Sequence, residues 1–239
     1  SFDINMPKEV NRLVIDGLSD ILFTAGMSNN SIANREGAEL SKVYMVGNIL
    51  IDNIRADRSR FVRPAVLDRL GIDDHSYLVF TLNRKALIAN TDNLQRMLQA
   101  LVTAAGSTPI IAPLRGIARE TVMALLPTLP THLHLIDPLG YLEFSYLSLH
   151  AKGIITDSGN VAEEATFNSV PCITLNSYTE HIETVKVGSN VLVGEDAKAL
   201  ATYVSQMTAG QWKPCAIPER WDGRSAERIL QTLLELPRK

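Results

Sequence analysis

Asp157-Ser158-Gly159-Asn160 follows directly on the apolar pair Ile154-Ile155 and leads into a helical stretch carrying Glu163 and Glu164. A buried strand turning straight into a helix over small residues leaves the first helical N–H groups unpaired and converging, where the helix dipole favours an anion. Gly159 lets a ligand come close to the backbone, and the spacing of Asn160 and Glu163 fits a capping box. An ordinary βα turn has the same pattern, so the rest of the chain must decide between the two readings. Arg84 is either a charge-assisted donor to a phosphate or a solvated surface arginine. Glu164, in the first helical turn, suits the dipole alone or hydrogen bonds from a ribose diol. Phe144 is a core residue or a stacking surface for a base. Among the five histidines only His181 falls on a candidate loop; His132 and His134 read as surface residues. None of the five has metal-ligand spacing, so no metal is expected. The nucleophile elbow, the Walker lysine and the dinucleotide glycine pattern are all missing from the sequence, so NAD is not indicated and no cofactor is expected.

These groups need elements to hold them. Pro7 opens a helical pattern whose inward face would be Val10, Leu13, Val14 and Leu18. Residues 21–24 and 43–46 read as short strands, 30–36 as a helix stopped by Gly37, and 48–56 as a helix with Ile49, Leu50 and Ile54 inward. From residue 77 a regular alternation begins. Strands are expected at 77–82, 108–112, 133–136, 154–156, 172–175 and 191–193, separated by helices, with 83–90 as a loop and Thr91 capping the helix that follows. Short, wholly apolar strands alternating with helices indicate a parallel sheet covered on both faces. The fold class is therefore α/β, with a Rossmann-like, doubly wound domain over roughly 77–194. Ligands of such sheets bind beyond the C-terminal strand ends. That rim holds the loops at 82–85, 112–115, 137–140, 157–160 and 175–181. The first candidate turn is one of five loops on one rim, which favours a site.

Composition restricts the partners. The 239 residues are 46% hydrophobic and 21% charged, ordinary for a globular protein of one large or two small domains. A net charge of −3 gives no basic footprint for nucleic acid. No apolar run approaches the roughly 20 residues of a membrane span, and the polar start shows no signal peptide. Two distant cysteines, Cys172 and Cys215, suit a reducing compartment, so a cytoplasmic protein is expected.

The motifs taken together carry a family resemblance. Thr156-Asp157-Ser158-Gly159-Asn160-Val161-Ala162-Glu163-Glu164-Ala165 resembles the T-D-S-G-G-x-Q-E-E-A signature of the non-hydrolysing UDP-N-acetylglucosamine 2-epimerases. Met6 to Arg12, Val46-Gly47-Asn48, Ile136 to Tyr141, Tyr178 to Glu183, Leu192 to Asp196 and Asp222-Gly223 agree in order and spacing. The resemblance covers essentially the whole chain. It implies a GT-B-like architecture of two Rossmann-like domains with a nucleotide sugar between them. Residues 1–47 would be the remnant of the N-terminal domain, 48–221 the C-terminal UDP-binding domain, and 222–239 a helix crossing back onto the N-terminal part. The chain would match the C-terminal two thirds of the family.

By resemblance, the activity is interconversion of UDP-GlcNAc and UDP-ManNAc by elimination and re-addition of UDP, supplying precursors for cell-surface polysaccharide. Arg84, Phe144, Ser158, Gly159, Asn160 and Glu164 would hold UDP. Glu9, Asn83, Arg84 and His181 would stand at the reacting centre. The partner would be UDP or a UDP-N-acetylhexosamine, and the assembly a homodimer. The chain departs from the family pattern at four places. Lys8 stands for a glutamate, Asn83 for a histidine, Asn160 for a glycine and His181 for an arginine. A catalytically silent module that binds a UDP-sugar or a partner protein is the competing reading, and a GT-B glycosyltransferase half is a third.

Overall fold

A computed structural model describes residues 7–39 and 42–236; Met6, at the head of the Met6–Arg12 motif, lies outside them. Contacts divide the chain into two units. One ends at Ala56 and resumes at Pro218; the other is Asp57–Ile217.

The first unit contains α1 (Pro7–Leu18), β1 (Leu22–Thr24), α2 (Met27–Arg35), β2 (Val43–Met45), α3 (Ile49–Asp57, ending at the boundary) and, after the second unit, α12 (Ser225–Glu235). β1 and β2 pair in parallel, Leu22 opposite Val43. Asp52 of α3 accepts the N–H groups of Ser225 at 3.0 Å and Ala226 at 2.8 Å. It thereby caps α12 from outside, since that helix has no side-chain cap of its own. Trp221 is buried, and its indole donates to the Ala25 carbonyl at 3.0 Å.

Two expectations for this unit are corrected. Val10, Val14 and Leu18 do not face inward but are exposed. The helix is instead oriented by charge: Glu9 is buried, and Arg12 bridges Glu9, Asp16 and Glu36. In α3 the buried residues are Ile51 and Ile54, while Ile49 is exposed.

The second unit is a six-stranded, all-parallel sheet: β3 (Leu78–Phe80), β4 (Ile110–Pro113), β5 (Leu133–Ile136), β6 (Gly153–Thr156), β7 (Cys172–Thr174) and β8 (Asn190–Leu192). Its helices are α4 (Ala65–Leu70), α5 (Lys85–Ala89), α6 (Thr91–Ala105), α7 (Gly116–Leu125), α8 (Tyr141–Leu149), α9 (Gly159–Phe167), α10 (Glu183–Lys186) and α11 (Ala197–Thr208).

Strand side chains alternate between two cores. Leu78, Phe80, Ile110, Ile155 and Ile173 join Leu94, Leu98 and Leu101 of α6 and Val204 of α11. Tyr77, Val79, Ile111, Ile154 and Cys172 join Leu147 of α8 and Ala162 and Ala165 of α9. The sheet is thus doubly wound, as its apolar strands imply. Burial pushes the Cys172 thiol up to about 12, whereas Cys215 is exposed.

The stretch 83–90, expected as a loop, contains α5, because Leu87 and Ile88 plug into the first core. The cap of α6 is Asn90, not Thr91, and it accepts the Asn93 N–H at 3.4 Å. His132 is half-buried, its Nε2 lying 3.0 Å from the Val102 carbonyl, and burial lowers the pKa of His134. The surface reading of that pair is therefore corrected.

Strand order is β5-β4-β3-β6-β7-β8. Chain progression runs outward from the centre in both directions, so β3 and β6 flank the topological switch point, where such sheets open a crevice at their C-terminal ends.

Candidate functional site

β3 and β6 pair through Val79 opposite Ile154 and Phe80 opposite Ile155. At their C-terminal ends, the hydroxyls of Thr81, just past β3, and Thr156, the last residue of β6, meet at 2.6 Å, and Thr156 also accepts the Ser158 N–H at 3.0 Å. The next residue, Asp157, is 8% exposed. Its Oδ2 accepts two successive main-chain N–H groups, from Asn83 at 2.6 Å and Arg84 at 2.5 Å. Its own carbonyl accepts the Asn176 side-chain amide at 3.1 Å, and the Asn176 carbonyl in turn accepts the Gly194 N–H at 3.2 Å. The loops after β3, β6, β7 and β8 are knitted together by these bonds.

Arg84 closes the network. Its Nη2 donates to the Leu175 carbonyl at 3.2 Å and to Glu195 Oε1 at 2.6 Å. Its Nε is buried with no hydrogen-bond partner among the described residues. Arg84 is therefore neither a solvated arginine nor an uncompensated cation: Glu195 already offsets its charge. Positive potential at this rim must come largely from the backbone of α9.

That helix terminus is bare. Ser158 is the N-cap, with extended backbone and no side-chain cap. The expected capping box between Asn160 and Glu163 is not formed, because the helix starts one residue before Asn160 and the Glu163 carboxylate turns to His181, 3.6 Å from Nε2. A Cβ built on Gly159 would meet no atom within 4 Å. The missing side chain thus serves no packing among the described residues. It leaves open space over the first helical N–H groups, the arrangement that a phosphate uses.

Glu164, half-buried in the same helix, has its carboxyl pushed up to about 7, by burial first and by the neighbouring Glu163 second. Phe144 is half-buried on α8 and packs against the core shared with α9.

The structure thus brings Asn83, Arg84, Ser158, Gly159 and Asn160 together at the switch point. Glu164 lies one turn along α9, and His181 is tied to the same helix through Glu163. Glu9 belongs to the other unit, on α1, where Arg12 holds its carboxyl below the usual range. Sequence reasoning passed over Asp157 as more than a turn residue, together with Asn176, Glu195 and Glu163. An aspartate placed directly at the end of an apolar strand is the signal that could have found the first of them.

Residues 1–234 match the UDP-N-acetylglucosamine 2-epimerase family. A UDP-N-acetylglucosamine 2-epimerase of Methanocaldococcus jannaschii is 36% identical, over 98% of this chain and 66% of that protein. A UDP-2,3-diacetamido-2,3-dideoxy-D-glucuronate 2-epimerase of Pseudomonas aeruginosa is 34% identical over 81% of this chain and 54% of its own length. The crystal structure of the M. jannaschii UDP-GlcNAc 2-epimerase in complex with UDP-GlcNAc and UDP superposes with a TM-score of 0.79 at 32% identity, covering 98% of this chain and 66% of that one. The chain thus spans about two thirds of the length of the M. jannaschii enzyme it matches. With a family match over residues 1–234 and a relative 36% identical over 98% of the chain, the chain belongs to the UDP-N-acetylglucosamine 2-epimerase family.

Proposed function

We propose that this chain binds the UDP moiety of a UDP-N-acetylhexosamine at the β3–β6 switch point and serves the interconversion of UDP-GlcNAc and UDP-ManNAc. The observation that carries the reading is the uncapped start of α9 at Gly159, open to a ligand and following directly on Asp157, whose carboxylate holds the Arg84 main-chain N–H. The diphosphate takes the N–H groups at Gly159 and Asn160 and the Ser158 hydroxyl, with Arg84 alongside. Glu164 accepts from the ribose diol, and Phe144 lies by the uracil.

In the reaction the C2 proton passes to a base as the C1–oxygen bond breaks and UDP departs with its electron pair, leaving a glycal. UDP then adds back at C1 while C2 regains a proton on the opposite face. Asn83 cannot exchange protons at neutral pH and serves only as a hydrogen-bonding group. Glu9, held ionised by Arg12, is an acceptor rather than a donor of protons. His181, which stands where the family pattern has an arginine, brings an imidazole to this set and is paired with Glu163. The reading needs no cofactor, and it takes the chain to act as a cytoplasmic homodimer in supplying polysaccharide precursors.

Binding and turnover are separately testable. UDP should raise the melting temperature of the chain, since a ligand bound only to the folded form stabilises it by mass action. No shift at millimolar UDP would sink the binding claim. In heavy water, deuterium should enter C2 of UDP-GlcNAc; substrate unlabelled after long incubation, with UDP binding intact, would remove the epimerase claim.

A further inference from the structure

Asp157 poses a problem of charge. A buried carboxylate immediately before a bare helix terminus should repel the anion that the terminus attracts. Its bonding resolves the problem. Oδ2 is committed to two consecutive main-chain amides, at 2.6 and 2.5 Å, and these belong to Asn83 and Arg84. Those residues form the rim loop before α5, where Asn83 is exposed and Arg84 half-buried. Standing one residue before the N-cap of α9, the Asp157 carboxylate fixes the backbone from which the Arg84 side chain departs. From there the guanidinium is held at its far end by the Leu175 carbonyl and Glu195.

We propose that Asp157 is a positioning residue for Arg84: through the Asn83 and Arg84 amides it sets where the guanidinium stands on the rim that carries the α9 terminus, and so sets the affinity for a nucleoside diphosphate. The inference rests on the UDP-binding reading above. It makes Asp157 act through Arg84 and not by touching the ligand, and it distinguishes the acceptor geometry of the side chain from its charge. An asparagine at this position would keep an amide oxygen where Oδ2 stands. It would turn its NH2 toward the place of Oδ1, which is buried with no hydrogen-bond partner among the described residues.

The test is a double-mutant cycle on the full chain, read as UDP affinity by calorimetry. Asp157→Ala should weaken UDP about tenfold or more, the scale of a lost charge-assisted hydrogen-bond pair. In an Arg84→Ala background the same change should cost little further, because residues that act through one another are not additive. Asp157→Asn should recover most of the affinity. If alanine prevents folding, Asp157→Ser, too short to reach the two amides, carries the same comparison. Equal losses from the Asp157 change with and without Arg84 would overturn the proposal, as would an asparagine variant as weak as alanine. A wild-type chain that fails to bind UDP at all removes the binding reading and this inference together; a chain that binds UDP but gives an additive cycle removes the inference alone.

Discussion

Gly47→Ala should destabilise the first unit by about 3 kcal/mol or more, the sum of a backbone held in a region L-residues avoid and an overpacked contact. Gly47 has φ +101, and a Cβ there would sit 2.1 Å from the Arg220 carbonyl oxygen and 2.9 Å from the Ser225 hydroxyl. The oxygen is main chain, so no side-chain rotation relieves it. Gly71→Ala is the control. Its φ of +63 is also positive, but nothing lies within 4 Å of the added carbon, so it should cost only about 1 kcal/mol. Urea unfolding of the full chain measures both. Equal midpoints for the two variants would show that the close approach to Arg220 does not matter.

Glu164→Ala is expected to abolish the rise in melting temperature that UDP produces, and Glu164→Gln to change its pH dependence. Burial, then Glu163, lifts the Glu164 carboxyl from its usual 4.5 to about 7. The folded state thus keeps a proton that the unfolded chain has lost. The stabilisation is fully present below about pH 4.5 and disappears as pH rises through about 7. It is worth roughly 2 kcal/mol, allowing for a partly exposed group. The wild-type melting temperature should therefore fall across that window more steeply than that of Glu164→Gln. Ligand affinity should move the other way. Ribose hydroxyls donate to an ionised carboxylate, so UDP binding should strengthen as pH rises through 7 in the wild type. The glutamine variant should lack that component; ionisation of the phosphates of UDP is common to both and cancels. Parallel pH curves for wild type and Gln would count against Glu164 as the ribose acceptor.

The sheet of the second unit was legible because its strands are short and apolar on both faces, as Leu78 to Phe80 and Gly153 to Thr156 show. An apolar run flanked by helical stretches leaves few alternatives to a buried parallel strand. The candidate turn at Asp157 to Asn160 was legible for the same reason, since a strand end fixes where the next helix must start. What escaped depends on contacts distant in sequence. Glu195, the counter-ion of Arg84, is 111 positions away, and no local pattern reports it. Glu163 looked like a capping residue because its spacing fits one, yet His181 on another loop takes the carboxylate. α5 was hidden by its length of five residues, too few to establish a helical period. In α1 the apolar spacing was correctly helical, but the buried face was decided by Arg12 and its three carboxylates instead.

The two thiols give the chain an internal clock. Cys172 lies in β7, between β6 and β8, and is fully enclosed; its raised pKa keeps it protonated and inert to alkylating reagents. Cys215 stands exposed in the same unit. A thiol reagent therefore counts one cysteine while the central strands stay paired and a second only when they part, so the lag between the two labels times the opening of the sheet on which the candidate site is built.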